Sequence, residues 1–121
     1  MSLRVLVADD SAVMRKIIIR SLNAVGLSDV AEAADGDQAI AAFSGGNFDL
    51  VLTDWNMPNK SGLDVVKAIR GAGSQVPVIM ITTEAERTRV MDAIQAGVTD
   101  YLAKPFEADA LRAKLSQYVP L

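Results

Sequence analysis

Five short apolar runs, Leu3–Ala8, Val30–Ala34, Phe48–Thr53, Val76–Ile81 and Thr99–Ala103, constrain this chain more than any other feature in it. Four are nearly continuous instead of alternating, the pattern of strands covered on both faces in a parallel sheet. The second, "VAEAA", carries the weakest signal. The intervening segments have helical spacing. Val13, Met14, Ile17, Ile18, Leu22 and Val25 form one apolar stripe, which leaves Arg15, Lys16 and Arg20 for solvent. Leu63, Val66 and Ile69 form a second, Val90, Met91 and Ile94 a third, and Leu111, Leu115 and Tyr118 a fourth. Gly26 and Gly97 fall where glycine ends helices. Strand and helix alternate five times without a linker or low-complexity tract. That pattern predicts one α/β domain over residues 1–121, with a parallel sheet and right-handed crossovers.

With 121 residues, 50% of them hydrophobic and 22% charged, the chain can build one continuous core. No run is long enough to span a membrane and no signal peptide is visible, so the expected setting is the cytoplasm. The net charge of −3 argues against nucleic acid as a partner. Cysteine and histidine are both absent, which excludes disulfides and thiolate or imidazole metal sites. Chemistry in this chain runs on carboxylates, hydroxyls, amines and a metal ion.

Ligands of open parallel sheets bind beyond the carboxyl ends of the strands. Here those ends read Asp9-Asp10, Thr53-Asp54, Thr82-Thr83 with Glu84 following, and Lys104-Pro105. Each has an ordinary reading by itself. Asp10 or Ser11 suits a helix N-cap, Thr82 suits a strand, and Asn56-Met57-Pro58-Asn59 suits a turn. Together the ordinary readings do worse, because several carboxylates on one edge repel one another unless something offsets them. Oxygen-only clusters with few carboxylates suit Mg²⁺, which keeps waters and leaves room for a phosphate. A lysine and hydroxyls nearby would hold the anion. The constellation therefore reads as a Mg²⁺-dependent phosphoryl site with an aspartate nucleophile.

The stretches "VADDSAVMRK", "LTDWNMPNKSGLDVVKAIR", "MITTEA" and "YLAKPF" resemble the receiver domains of two-component response regulators, most of all the single-domain chemotaxis regulators. The resemblance covers nearly the whole chain, with each motif at the expected strand end. It implies a doubly wound (βα)5 fold of the flavodoxin-like kind, strand order 2-1-3-4-5, with helices on both faces.

The resemblance also implies roles. Asp54 is the expected phosphoacceptor. Asp10 would bind Mg²⁺ directly and Asp9 mainly through water, with Asp54 and the backbone carbonyl of Asn56 completing the protein ligands. Lys104 would pair with a phosphoryl oxygen, aimed by a cis Lys104-Pro105 bond, and the Thr82 hydroxyl would bond another. Asn56 and Glu84 would tune hydrolysis. Thr82 and Tyr101 would form the switch, although Tyr101 also reads as a boundary aromatic. Arg87, Val90, Tyr101 and Lys114 would lie on the face read by partners.

The expected donor is a phosphohistidine on a sensor kinase, since a chain without histidine cannot be its own kinase. The expected output is binding to a protein target such as the flagellar switch, by a monomer. The chain stops at Leu121, just after the fifth helix, so no output domain is expected. Apart from its own phosphoryl transfer and autodephosphorylation, no conventional enzyme activity is expected. Trp55, directly after Asp54, is a natural reporter. Lys60 and Ser61 depart from residues common in the family, and Thr83 is larger than the alanine seen in the chemotaxis regulators, which would narrow access to the phosphoryl group.

Three other readings compete. A haloacid-dehalogenase-type phosphatase also uses an aspartyl nucleophile with Mg²⁺, but it needs an Asp-x-Asp pair on strand one and usually a cap insertion. A flavin mononucleotide binder would share the fold, yet two aspartates in its phosphate loop would repel the phosphate. A receiver acting as a phosphate sink or relay intermediate keeps both fold and site.

Overall fold

The computed structural model describes residues 3–83 and 89–121, and of Val90 the backbone alone. The expected site residues Glu84 and Arg87, and the Val90 side chain, lie outside the described residues. The apolar runs form β1 (Arg4–Ala8), β2 (Asp29–Ala33), β3 (Leu50–Asp54), β4 (Val78–Thr82) and β5 (Asp100–Ala103). Helices α1 (Ala12–Ala24), α2 (Gly36–Gly45), α3 (Gly62–Gly71), α4 (Val90–Ala96) and α5 (Ala108–Tyr118) alternate with them. All strand pairs are parallel, in the order β2-β1-β3-β4-β5.

Position in the sheet explains the strand compositions. The central strands β3 and β4 are buried at every residue and therefore read as continuous apolar runs. The edge strand β2 exposes Asp29 and Glu32, which is why its signal is weak. The fourth run reads two residues early because Pro77 has no N–H to donate; its carbonyl accepts from the Val51 N–H at 2.9 Å, and the paired register starts at Val78. On one face Ile18, Leu22, Leu111 and Leu115 pack from α1 and α5 against Val5, Val7, Leu50, Leu52 and Ile79. On the other, Ala39, Val65, Val66, Ile69 and Ala93 of α2, α3 and α4 pack against Leu6, Val51, Val78 and Met80.

Two apolar stripes differ from expectation. Along α1 the buried arc runs through Met14, Ile18, Leu22 and Val25. Val13 and Ile17, one residue round the helix, are 69% and 45% exposed. Six apolar positions make a stripe wider than one flat sheet can cover. In α4 the short side chain of Ala93 is the buried contact, while Met91 and Ile94 stand 63% and 53% exposed. Gly26 and Gly97 both adopt positive φ, +89° and +105°, as helix-ending glycines do.

The registers Ala8 with Thr53, Asp54 with Ile81 and Thr82 with Ala103 bring the carboxyl ends of β1, β3, β4 and β5 level. Residues distant in sequence thus emerge together on one edge. No helix among the described residues is long and apolar enough to cross a membrane.

Candidate functional site

The turn after β1 sorts its two aspartates. Ser11 takes the N-cap of α1, its hydroxyl accepting from the Met14 N–H at 3.1 Å. Asp9 is buried, and its Oδ1 accepts from the Ser11 N–H at 2.8 Å. Asp10 is released from capping and stands exposed. Asp54, the last residue of β3, is 7% exposed, and its Oδ1 accepts from the Trp55 N–H at 2.8 Å. One carboxylate oxygen from each of Asp9, Asp10 and Asp54 lies within 4.8 Å of the others. The fourth charge comes from Lys104, just past β5. Its Nζ is 3.3 Å from Asp9 Oδ2 and 3.2 Å from Asp54 Oδ2. The Lys104-Pro105 bond is cis, as the resemblance implied, and the Lys104 N–H donates to the Thr82 carbonyl at 2.6 Å.

These charges are imperfectly balanced. Burial pushes the Asp54 carboxyl up to about 6; Lys104 pulls it down and Asp9 pushes it further up. Burial also works against the Lys104 ammonium, but Asp54 and Asp9 outweigh it and raise its pKa. Beside them Thr82 is fully buried, and its Oγ1 has no hydrogen-bond partner among the described residues. A buried hydroxyl in that condition destabilises a fold by about 1–3 kcal/mol.

The loop after Asp54 folds back at Gly62. The Gly62 N–H donates to the Trp55 carbonyl at 2.8 Å. A Cβ at position 62 would collide with the Asp54 carbonyl, so only glycine allows the chain to fold back there. Ser61 caps α3 in a reciprocal capping box with Asp64, which gives this family departure a local structural role. Asn56 and Lys60 are exposed in the loop, and Thr83 is exposed after β4. Trp55 itself is buried, with the Arg89 guanidinium 4.7 Å from its ring centroid.

Tyr101 is half-buried on β5 and packs at the margin of the α3–α4 core. Lys114 lies 5.7 Å from the centroid of that ring and forms an ion pair with Asp100 at 3.0 Å. Asp100 also accepts from the Tyr118 hydroxyl at 2.7 Å. Two features have no counterpart in the sequence reading. One is this Asp100 cluster. The other is Arg15, expected in solvent, whose side chain is only 16% exposed and bonds to Asp9 and Glu32. Their partners lie 14 to 18 and 6 to 17 residues away, beyond the reach of periodicity.

A doubly wound sheet with an acidic cluster and a lysine at its carboxyl edge defines the class, and the family model of the response regulator receiver domain matches residues 5–116. The chain belongs to that family. It is 41% identical over 117 residues to the chemotaxis protein CheY of Pseudomonas aeruginosa, covering 95% of this chain and 94% of that one. It is 42% identical over 118 residues to chemotaxis protein CheY-3 of Vibrio cholerae, covering 96% and 91%. Among solved structures, the Vibrio cholerae chemotaxis response regulator CheY4 superposes with a TM-score of 0.90 at 32% identity, over 98% of this chain and 100% of that one. A response regulator receiver domain from Clostridium thermocellum gives 0.88 at 26% identity, over 96% and 93%.

The donor set fits a hard divalent cation. Its ligands are oxygens alone, and their mutual repulsion, with Asp54 already raised, is what such a cation relieves.

Proposed function

We propose that this chain accepts a phosphoryl group on Asp54 and signals by protein binding. The observation that carries the proposal is the Asp54 carboxylate, buried at the tip of β3, held 3.2 Å from the Lys104 ammonium and clustered with Asp9 and Asp10. An Asp54 oxygen attacks the phosphorus of a phosphohistidine on a sensor kinase. The O–P bond forms as the P–N bond breaks, and the imidazole leaves with the electron pair and takes up a proton. Asp10, Asp54 and the Asn56 carbonyl would hold Mg²⁺ directly and Asp9 mainly through water, and the bound ion would neutralise the phosphoryl charge. Lys104 pairs with a phosphoryl oxygen, and the Thr82 hydroxyl, which has no hydrogen-bond partner among the described residues, donates to another. Attack needs an ionised Asp54, and in the metal-free protein burial pushes that carboxyl up to about 6.

Movement of Thr82 toward the phosphoryl group opens space for the Tyr101 ring, which alters the face around Tyr101 and Lys114 together with Arg87 and Val90. Water later releases phosphate, at a rate set by Asn56 and Glu84. The names of the relatives support a chemotaxis role; a cytoplasmic setting and the flagellar switch as target are part of the same proposal. The test of the site is Trp55 fluorescence during titration with Mg²⁺ and then with beryllofluoride, a mimic of the acyl phosphate. Saturable changes at both steps, the second lost in Asp54→Asn, are expected; silence at both steps contradicts the proposal. For the target, retention on flagellar-switch peptides only when phosphorylated separates a motor signal from a phosphate sink or relay.

A further inference from the structure

We propose that Arg15 is a positioning residue for the acidic cluster, fixing the turn from Asp9 to Asp10 in the arrangement a divalent cation requires. The inference rests on reading that cluster as a Mg²⁺ site.

Asp9 is the first residue beyond β1, where the ladder ends. Its N–H still reaches β2, donating to the Ala33 carbonyl at 3.0 Å. Its carbonyl instead accepts from Arg15 Nη1 at 2.7 Å. The same guanidinium donates through Nε to Glu32 Oε1 on β2 at 2.9 Å. A planar fork held at two points fixes the plane of whatever it binds. That bound carbonyl belongs to the peptide joining Asp9 to Asp10, so its orientation sets where the Asp10 side chain starts. Asp10 has little else to place it: it is exposed, and its carboxylate makes no hydrogen bond or ion pair among the described residues. Asp9 is held through its N–H, its carboxylate and Lys104 as well, so Asp10 is the ligand that depends on Arg15 most.

Charge alone makes the opposite prediction. A guanidinium beside the cluster repels a cation, so a purely electrostatic Arg15 would weaken Mg²⁺ binding, and its removal would tighten it. Positioning predicts that removal weakens it.

The experiment is Mg²⁺ titration of the wild-type chain, Arg15→Lys, Arg15→Gln and Glu32→Gln, read by calorimetry and Trp55 fluorescence, beside melting temperatures in a chelator. Both Arg15 variants should bind Mg²⁺ about tenfold more weakly, as outer-shell changes do, including the lysine that keeps the charge. Glu32→Gln should move in the same direction by less, with chelator melting little changed. Folded Arg15 variants that bind Mg²⁺ as tightly as wild type, or more tightly, overturn the role while leaving the metal reading intact. A wild-type chain that binds no Mg²⁺ overturns the metal reading, and this role with it. If Arg15→Gln fails to fold, Arg15→Lys and Glu32→Gln decide the matter on the same criterion.

Discussion

Asp54 and Asp100 each face a lysine at about the same distance, 3.2 Å and 3.0 Å, yet the two carboxylates are driven in opposite directions. At Asp54 burial wins: one Lys104 is shared with Asp9, a second carboxylate adds repulsion, and the group rises to about 6. At Asp100 burial also pushes upward, but the Tyr118 hydroxyl, the Lys114 ammonium and the Tyr101 N–H outweigh it and hold the carboxyl below its usual range. Asp100 opens β5, and Lys104 follows the end of the same strand. One end of that strand is therefore electrostatically satisfied, and the other faces a carboxyl that burial still holds up. The contrast separates a carboxylate that holds the fold from one the fold holds in readiness.

The sharpest way to break the contrast is to remove each lysine in the metal-free protein. Lys104→Met leaves two buried carboxylates uncompensated and should destabilise the fold by about 3 kcal/mol at pH 8. Lys114→Met removes one of three partners from a more exposed group and should cost about 1 kcal/mol or less. Urea unfolding in a chelator measures both, and equal losses would erase the distinction.

Replacing the carboxylates should give opposite signs. Asp54→Asn removes an ionised group that the fold disfavours and should stabilise the metal-free protein by about 2 kcal/mol at pH 7. Asp100→Asn should destabilise it by about 1 kcal/mol. The pH dependence follows. Asp54 rises from 3.8 to about 6 on folding, so its contribution is fully present below 3.8 and is lost as pH rises through about 6. Asp100 is lowered on folding, so it contributes stability above the ordinary carboxylate range and loses it as pH falls through its folded value. Difference curves between wild type and each asparagine variant, from unfolding at a series of pH values, should slope in opposite directions.

The effect of the cation is the most selective. Mg²⁺ at ten times its dissociation constant should stabilise the wild-type chain by about 1.4 kcal/mol. That gain should survive Asp100→Asn unchanged and shrink in Asp54→Asn, which removes one of the three clustered carboxylates. Melting curves with and without Mg²⁺ check it, and a gain undiminished in Asp54→Asn would place the cation elsewhere.

The architecture was legible because a doubly wound sheet writes itself locally. Buried central strands must be continuously apolar, and Thr53-Asp54 or Lys104-Pro105 at their tips mark the edge where ligands gather. The helix faces were less legible. Val13 and Ile17 on α1, and Met91 and Ile94 on α4, are apolar without being buried, and periodicity reads composition, not contact. Lys104 was read for a phosphoryl oxygen and Lys114 for the partner face; their opposite effects on Asp54 and Asp100 depend on burial and on second partners, which spacing does not reveal. Arg15 was hidden for the same reason: its position on the helix says solvent, and only the folded turn brings the Asp9 carbonyl within 2.7 Å.

The central claim is that the carboxylate the fold leaves unsatisfied is the one that takes the phosphoryl group. Its most direct test is to treat the wild-type chain with acetyl phosphate and Mg²⁺, reduce the acyl phosphate with borohydride, and map the product by peptide mass spectrometry. Homoserine at position 54, absent when Mg²⁺ is chelated, is the predicted result. Homoserine at Asp9, Asp10 or Asp100, or none anywhere after Mg²⁺ binding has been established, would contradict it.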